Sequence, residues 1–127
     1  MTSPTQRSLR LLRKEGYVVQ VVERWNAFAR KRRDLFGFLD LIGIHDEHGI
    51  VGVQTTTAKN MAARISKIRG EPMAEAWLRA GGKIEVHGWR RSKPGSRRRE
   101  WVVERRALTL RPRHRPTARP TPSTEEE

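Results

Sequence analysis

The sequence predicts an α/β domain built on a mixed sheet. Five short segments rich in β-branched residues alternate with two stretches in which apolar residues recur at helical spacing. A short polar turn between the second and third strand segments predicts an antiparallel hairpin. The second helical stretch separates the third strand segment from the fourth, which allows those two strands to pair in parallel.

The first helix is predicted to begin at Ser3 and Pro4, because Ser is favoured at the N-cap and Pro at the first helical position. Gly16 is predicted to end this helix. Residues 17–23, with the sequence YVVQVVE, are short and β-branched and are predicted to form the first strand. Residues 25–34, WNAFARKRRD, are predicted to form a basic loop.

Residues 35–44 and 50–56 are apolar segments on either side of a polar turn that ends in Gly49. This arrangement is typical of a β-hairpin. The apolar residues of the first segment do not alternate with polar ones, which indicates a central strand covered on both faces. Asp40 lies in the middle of that predicted strand.

Residues 58–80 return to helical spacing, with a break at Gly70 and Pro72. A strand, a basic loop and a last strand are then predicted at 83–89, 90–99 and 101–110. Three tryptophans fall within these regular elements and are predicted to belong to the core: Trp77, Trp89 and Trp101.

The last 17 residues are predicted to be a disordered tail outside the folded domain of residues 1–110. Residues 111–127 hold four of the seven prolines and no large apolar side chain, so they cannot bury a core. With four Arg and three Glu the tail carries a net charge of +1, and residues 1–110 therefore carry +12 of the total of +13. The excess positive charge belongs to the predicted domain.

Composition excludes several classes of protein. The chain has no cysteine, which rules out a disulfide scaffold and zinc sites built on thiolates. No apolar run approaches the length of a membrane span, and the first residues lack the apolar region of a signal peptide. We therefore expect a cytoplasmic protein with no membrane partner.

A domain this basic is expected to bind nucleic acid, because a fixed excess of charge favours a polyanionic partner. Two loops concentrate the charge and are predicted to hold the phosphate backbone through Arg30, Lys31, Arg32, Arg33, Arg97, Arg98 and Arg99. Trp25 and Phe28 lie in the first of these loops. They are expected either to stack on an exposed base or to anchor the loop by packing.

Asp40 is the main candidate for chemistry. A carboxylate inside an apolar strand is costly unless it pairs with an arginine, accepts hydrogen bonds or binds a metal ion. Gln54 and Thr56 share one face of the following strand, because side chains alternate along a strand. Antiparallel pairing of the hairpin can bring that face beside Asp40.

These features resemble the PD-(D/E)xK nuclease superfamily, most closely the archaeal-type Holliday junction resolvases and related phage proteins. The resemblance covers about residues 5–110 and includes a first helix that ends in Gly16-Tyr17, the Asp inside an apolar strand, the hairpin and the tripeptide 54–56. It implies a restriction-endonuclease-like mixed sheet in the order helix, three-strand meander, helix and two strands.

The resemblance also implies a site. In the superfamily an Asp and the acidic residue of the motif hold a divalent cation, and the Lys stabilises or positions the nucleophile. Carried over, Asp40 takes the first position, Gln54 the acidic position and Thr56 the Lys position. The carbonyl oxygen of Gln54 can still ligate Mg²⁺, whereas Thr56 supplies no charge. Lys59 and Asp34 are the candidates for the missing cation and for a second metal-binding carboxylate.

Three functions follow from this sequence. The first is a Mg²⁺- or Mn²⁺-dependent endonuclease that acts on DNA, with branched or structured DNA as the expected substrate and a homodimer as the form that cuts two strands. The second is a DNA-binding module on the same fold, with a metal site eroded at Gln54 and Thr56. The third is a basic RNA-associated protein unrelated to nucleases.

Overall fold

A computed structural model describes residues 2–93, 95, 97 and 100–110 of the 127-residue chain. The helices are α1 (Pro4–Lys14), α2 (Met61–Arg69) and α3 (Pro72–Arg79), with a 3₁₀ turn at Ala58–Asn60. The strands are β1 (Val18–Val21), β2 (Arg24–Asn26), β3 (Lys31–Arg33), β4 (Leu41–His45), β5 (Gly49–Thr57), β6 (Lys83–Arg91) and β7 (Trp101–Leu108). The tail predicted at 111–127 lies outside the described residues. Among those residues no helix has the length and apolar character needed to cross a membrane.

Five of the strands in the described part of the chain form one mixed sheet in the order β1-β4-β5-β6-β7. β1, β4 and β5 make an antiparallel meander, and β6 and β7 are also antiparallel. β5 and β6 are parallel, and the crossover between them contains α2 and α3. The predicted α/β class and the mixed sheet are confirmed.

Helices cover both faces of this sheet. On one face Leu9 and Leu12 of α1 pack in a buried cluster with Leu41, Val51 and Val53. On the other face the buried residues of α2 and α3 pack with alternate residues of β6, in a cluster that includes Ile65, Ile68, Ala74, Ile84 and Val86. Because both faces are covered, β5 is buried along most of its length, and its carboxyl end faces the gap between α1 and α2.

The start of α1 is fixed as predicted. The Ser3 side chain caps the helix by accepting a hydrogen bond from the backbone N–H of Gln6 at 3.1 Å, and Pro4 occupies the first turn. In the same turn, the Thr5 hydroxyl lies 2.9 Å from the Thr55 hydroxyl. This contact brings the N-terminal end of α1 to the carboxyl end of β5.

The prediction of a basic loop after the first strand is wrong. Residues 24–33 form a second, two-stranded sheet, in which β2 and β3 pair with Trp25 opposite Arg32. The sequence lacks an Asn-Gly or Asp-Gly turn; instead, Asn26 closes the turn with its side chain and Arg30 adopts a positive φ of 53°. The basic residues therefore project from a hairpin with defined register.

The prediction of one continuous strand at 35–44 is also wrong. Residues 35–39 form a turn in which Leu35 bridges to Leu39, and Phe36 and Gly37 have positive φ values of 56° and 82°. The strand β4 begins only at Leu41. Asp40 still pairs through its backbone, since its N–H donates to Val53 and its carbonyl accepts from Val22. It consequently lies at the end of the sheet rather than in the middle of a strand.

For the later elements, the predicted break in the helical stretch is confirmed and the predicted burial of Trp101 is wrong. The helical stretch 58–80 is divided, as its sequence indicates, at Gly70, with Pro72 opening α3. Trp89 is buried and Trp77 packs on the core, but Trp101 is 38% exposed. The guanidinium of Arg7, a buried residue of α1, lies 3.5 Å from the centroid of the Trp101 ring, so this ring makes a cation–π contact with the helix and does not pack in the apolar core.

Candidate metal centre and nucleic-acid interface

A cavity of about 730 Å³ opens at the carboxyl end of β5. Its walls come from the N-terminal end of α1, the β2–β3 hairpin, the turn before β4 and one side of α2. Strand pairing places Glu23 and Asp40 at this end of the sheet, because β1 and β5 flank β4 on either side. Helix α1, the hairpin and α2 close the cavity around them.

Three carboxylates meet in this cavity. Glu23, Asp34 and Asp40 each offer one carboxylate oxygen, and these oxygens lie within 4.8 Å of one another. Glu23 follows β1, Asp34 follows β3 and Asp40 precedes β4. Antiparallel pairing of β1 with β4 brings the first and last of these positions together.

Asp40 is the most buried of the three, with 3% of its surface exposed. Its Oδ2 accepts hydrogen bonds from the Thr55 backbone N–H at 2.7 Å, the Gln54 Nε2 at 2.9 Å and the Thr55 hydroxyl at 3.2 Å. Burial and the neighbouring Glu23 and Asp34 carboxyl groups raise the pKa of Asp40 to about 8, despite the Thr55 N–H, which lowers it. The carboxylate pocket thus favours a bound cation or proton.

Gln54 occupies the position beside Asp40 on β5, and its side chain is 1% exposed. Its Nε2 donates to Asp40 Oδ2 at 2.9 Å and contacts Asp34 Oδ2 at 3.3 Å. Its Oε1 is buried and has no hydrogen-bond partner among the described residues. A buried amide oxygen without a partner is unfavourable. A half turn of the amide would point this oxygen toward the carboxylates at the cost of both Nε2 hydrogen bonds, so a bound cation is needed to favour it.

The donor set suits a hard divalent cation. Three carboxylates and one amide oxygen are the ligand types that Mg²⁺ and Mn²⁺ take in proteins. Within the described residues Arg32 pairs with Glu23 at 2.6 Å, and no salt bridge reaches Asp34 or Asp40. The described residues therefore do not support the alternative in which an arginine pairs with Asp40.

Positive side chains surround the carboxylates. Lys31, Arg32 and Arg33 of β3 line one side of the cavity, and Arg64 and Lys67 of α2 line another. The combination of an acidic floor and basic walls can hold a metal ion and a phosphate group in the same space.

The structure brings together most of the site residues predicted from the sequence. Asp34, Asp40 and Thr56 line the cavity, and Gln54 lies directly behind Asp40. Lys59 does not line it: this side chain is exposed on the 3₁₀ turn. The next residue of the same turn, Asn60, does line the cavity, so the suggestion that Lys59 reaches the site is not supported by this placement.

Of the residues predicted to hold the phosphate backbone of a nucleic acid, some line the cavity and others do not. Arg30 is exposed at the tip of the hairpin, and Arg97 is exposed; neither lines the cavity. Arg98 and Arg99 lie outside the described residues. The packing alternative for Trp25 and Phe28 is wrong, since their exposed fractions are 63% and 101%.

Three charged residues of the cavity were missed from the sequence: Glu23, Arg64 and Lys67. Glu23 is the acidic last residue of the predicted first strand, and a polar residue at a strand end can mark a site at the sheet edge. Arg64 and Lys67 are three positions apart and so share one face of α2. Their spacing was visible, but only the fold shows that this face lines the cavity that contains Asp40.

None of the protein families, curated proteins or solved structures with which this chain was compared matches it. Function is therefore inferred from the residues of the cavity.

Proposed function

We propose that this protein is a divalent-metal-dependent endonuclease of the PD-(D/E)xK type that acts on DNA. The observation that carries the proposal is the cluster of Glu23, Asp34 and Asp40 in a cavity with basic walls. A carboxylate cluster and phosphate-binding cations in one cavity are the parts that metal-assisted phosphodiester hydrolysis needs.

The topology supports the restriction-endonuclease-like fold that the resemblance implies. The chain runs from a helix through an antiparallel meander, β1-β4-β5, into a helical crossover and the parallel strand β6. The Asp40 N–H donates to the Val53 carbonyl at 2.9 Å, which sets Asp40 beside Gln54. The residues carried over from the motif are therefore adjacent across two paired strands.

Asp40, Asp34 and Glu23 would hold the cation, and Gln54 Oε1 would join them after the half turn of its amide. When bound, Mg²⁺ or Mn²⁺ supplies charge that polarises a phosphate oxygen and lowers the pKa of a coordinated water. The Thr55 N–H and hydroxyl fix the orientation of the Asp40 carboxylate, and Thr5 fixes Thr55 in turn. The carboxylate is thus pre-organised by the sheet and by α1.

Basic residues of the chain would bind and orient the DNA. Lys31 and Arg33 on the hairpin would hold the phosphate backbone at the mouth of the cavity, which positions the DNA without reading its sequence. Thr56 cannot supply the positive charge of the motif lysine. Arg64 and Lys67 line the same cavity and would supply it from α2.

A second candidate function is a DNA-binding module that has lost catalysis. The specific observation in its favour is the hydrogen bonding of Gln54, whose Nε2 satisfies Asp40 and Asp34 within the protein. On this alternative the basic walls bind DNA and the carboxylates serve to hold the end of the sheet together.

The deciding experiment compares wild type with Asp40→Asn on plasmid, four-way junction and gapped duplex DNA in Mg²⁺ and in Mn²⁺. We expect wild type to cleave and Asp40→Asn to lose cleavage by about 100-fold or more, because a metal ligand is removed. DNA affinity should stay the same or increase slightly, since a negative charge facing phosphate is lost. Asp46→Asn, in the exposed turn at the far end of β5, is the matched control and should cleave normally.

Two outcomes contradict the proposal. Cleavage by Asp40→Asn at the wild-type rate would show that the activity does not use this cavity. Binding of DNA by wild type without cleavage in either metal would favour the binding module.

A further inference from the structure

The β2–β3 hairpin exposes two aromatic rings to solvent. Phe28, at the tip, is 101% exposed, and Trp25, on β2, is 63% exposed. The hairpin forms a sheet of its own and is not hydrogen-bonded to the main sheet in the described residues. Neither ring therefore belongs to the core, and both are accessible to a partner.

The tip that carries Phe28 has a defined shape. The Asn26 side-chain oxygen accepts hydrogen bonds from the backbone N–H groups of Phe28 and Ala29, both at 3.0 Å. Arg30 completes the turn with a φ of 53°. Phe28 is thus presented outward by side-chain and backbone contacts within the hairpin.

The charge of the hairpin indicates the kind of partner. Residues 24–33 contain five Lys or Arg and no acidic residue. Trp25 stands opposite Arg32 in the strand register, so an aromatic ring and a guanidinium share one face. An aromatic face beside several cations matches a nucleic-acid strand, which offers base faces and phosphates together.

The base of the hairpin reaches the carboxylate cavity. Lys31, Arg32 and Arg33 line that cavity, and Arg32 is tied to Glu23 at 2.6 Å. A nucleic-acid strand that runs from the cavity along the hairpin would pass from the carboxylates to the aromatic tip. Fully paired DNA keeps its bases stacked inside the duplex, so only unpaired bases can meet these rings.

We propose that Phe28 and Trp25 stack on unpaired bases, and that the substrate class is DNA in which unpaired nucleotides adjoin a duplex. This inference rests on the proposed function and deepens it, since it names the kind of DNA that the cavity receives. The hairpin selects the substrate by base stacking, and its cations hold the neighbouring phosphates.

The test measures binding in EDTA, so that cleavage does not enter. The probes are a duplex with a gap of about five unpaired nucleotides, carrying 2-aminopurine in the gap, and the same duplex fully paired. Phe28→Ala should weaken binding to the gapped DNA about tenfold and leave binding to the paired DNA within about twofold, because one stacked base is lost. Wild type should change the 2-aminopurine fluorescence, and Phe28→Ala should reduce that change.

Two matched variants separate stacking from general apolar contact. Phe28→Tyr keeps an aromatic face and should bind the gapped DNA like wild type, whereas Phe28→Leu keeps apolar volume without that face and should bind like Phe28→Ala. Equal loss on both DNAs, no loss on either, or full binding by Phe28→Leu would overturn the stacking proposal while Asp40-dependent cleavage still stands. Failure of wild type to bind any DNA would overturn the proposed function as well.

Discussion

Gln54 is the residue that most clearly separates this cavity from one with a full set of acidic ligands. It is buried beside Asp40, donates to two carboxylates and leaves its own Oε1 without a partner among the described residues. Its amide avoids adding a further negative charge to a cluster whose burial already raises the pKa of Asp40 to about 8. The protein therefore gains stability without a cation and binds a cation less tightly.

Gln54→Glu should lower the stability of the cation-free protein and tighten cation binding. In EDTA the added carboxylate faces Asp40 and Asp34, so the melting temperature should fall by several degrees. In Mn²⁺ the same variant should gain more stability than wild type does, because the cation binds the folded state and the extra charge tightens that binding. Thermal denaturation in EDTA and in Mn²⁺ measures both effects.

Gln54→Met is the control, since it keeps the length of the side chain without its amide or a charge. It should be less stable than wild type in both solutions and show no added response to Mn²⁺. A Gln54→Glu protein that melts above wild type in EDTA, or responds less to Mn²⁺, would argue against a cation site at these carboxylates.

At the scale of elements, α1 is joined to the sheet by a buried polar network. The Trp89 indole N–H donates to Ser8 Oγ at 2.9 Å, and Ser8 Oγ lies 2.8 Å from His87 Nδ1. The other ring nitrogen of His87 contacts Glu85 at 2.8 Å. Since an indole can only donate, the Ser8 hydroxyl is free to donate to His87, and all three side chains are satisfied.

Ser8→Ala should destabilise the protein by about 2–3 kcal/mol, because it leaves the buried groups of Trp89 and His87 without their partner. Chemical denaturation measures this loss. The control is Ser66→Ala, on the exposed side of α2, which should change the free energy of unfolding by less than about 0.5 kcal/mol. Equal stability of Ser8→Ala and wild type would show that this network does not hold α1 in place.

The elements that the sequence misassigned share a physical cause. The β2–β3 hairpin has polar and basic residues on both strands, so it lacks the apolar alternation by which strands are recognised. Its turn depends on the Asn26 side chain and on a positive φ at Arg30, a residue type not typical of such a position. The turn at 35–39 was missed for a related reason, because its apolar residues are typical of a strand.

For the molecule as a whole, local patterns predicted the elements that have an apolar face. The N-cap at Ser3, the break at Gly70 and the hairpin of β4 and β5 all follow from capping residues, turns and periodicity. These features depend on neighbours in sequence, which is why one sequence is enough to find them.

The candidate site depends on contacts that are distant in sequence. Asp40 and Gln54 were predicted together because a hairpin joins them. Glu23 reaches them through the pairing of β1 with β4, and Arg64 and Lys67 through the packing of α2 over the end of β5. Those contacts follow from the sheet order, so composition and spacing could not identify the third carboxylate or the basic wall of α2.

The most direct test of this account is a titration of the metal-free protein with Mn²⁺, followed by electron paramagnetic resonance of the free ion. We expect wild type to bind Mn²⁺ at the cluster of Glu23, Asp34 and Asp40 and to release it when Mg²⁺ is added, because both cations prefer the same oxygen ligands. Asp40→Asn should bind Mn²⁺ at least about tenfold more weakly. Equal binding of Mn²⁺ by wild type and Asp40→Asn, or no binding by wild type, would contradict a metal centre at this end of the sheet.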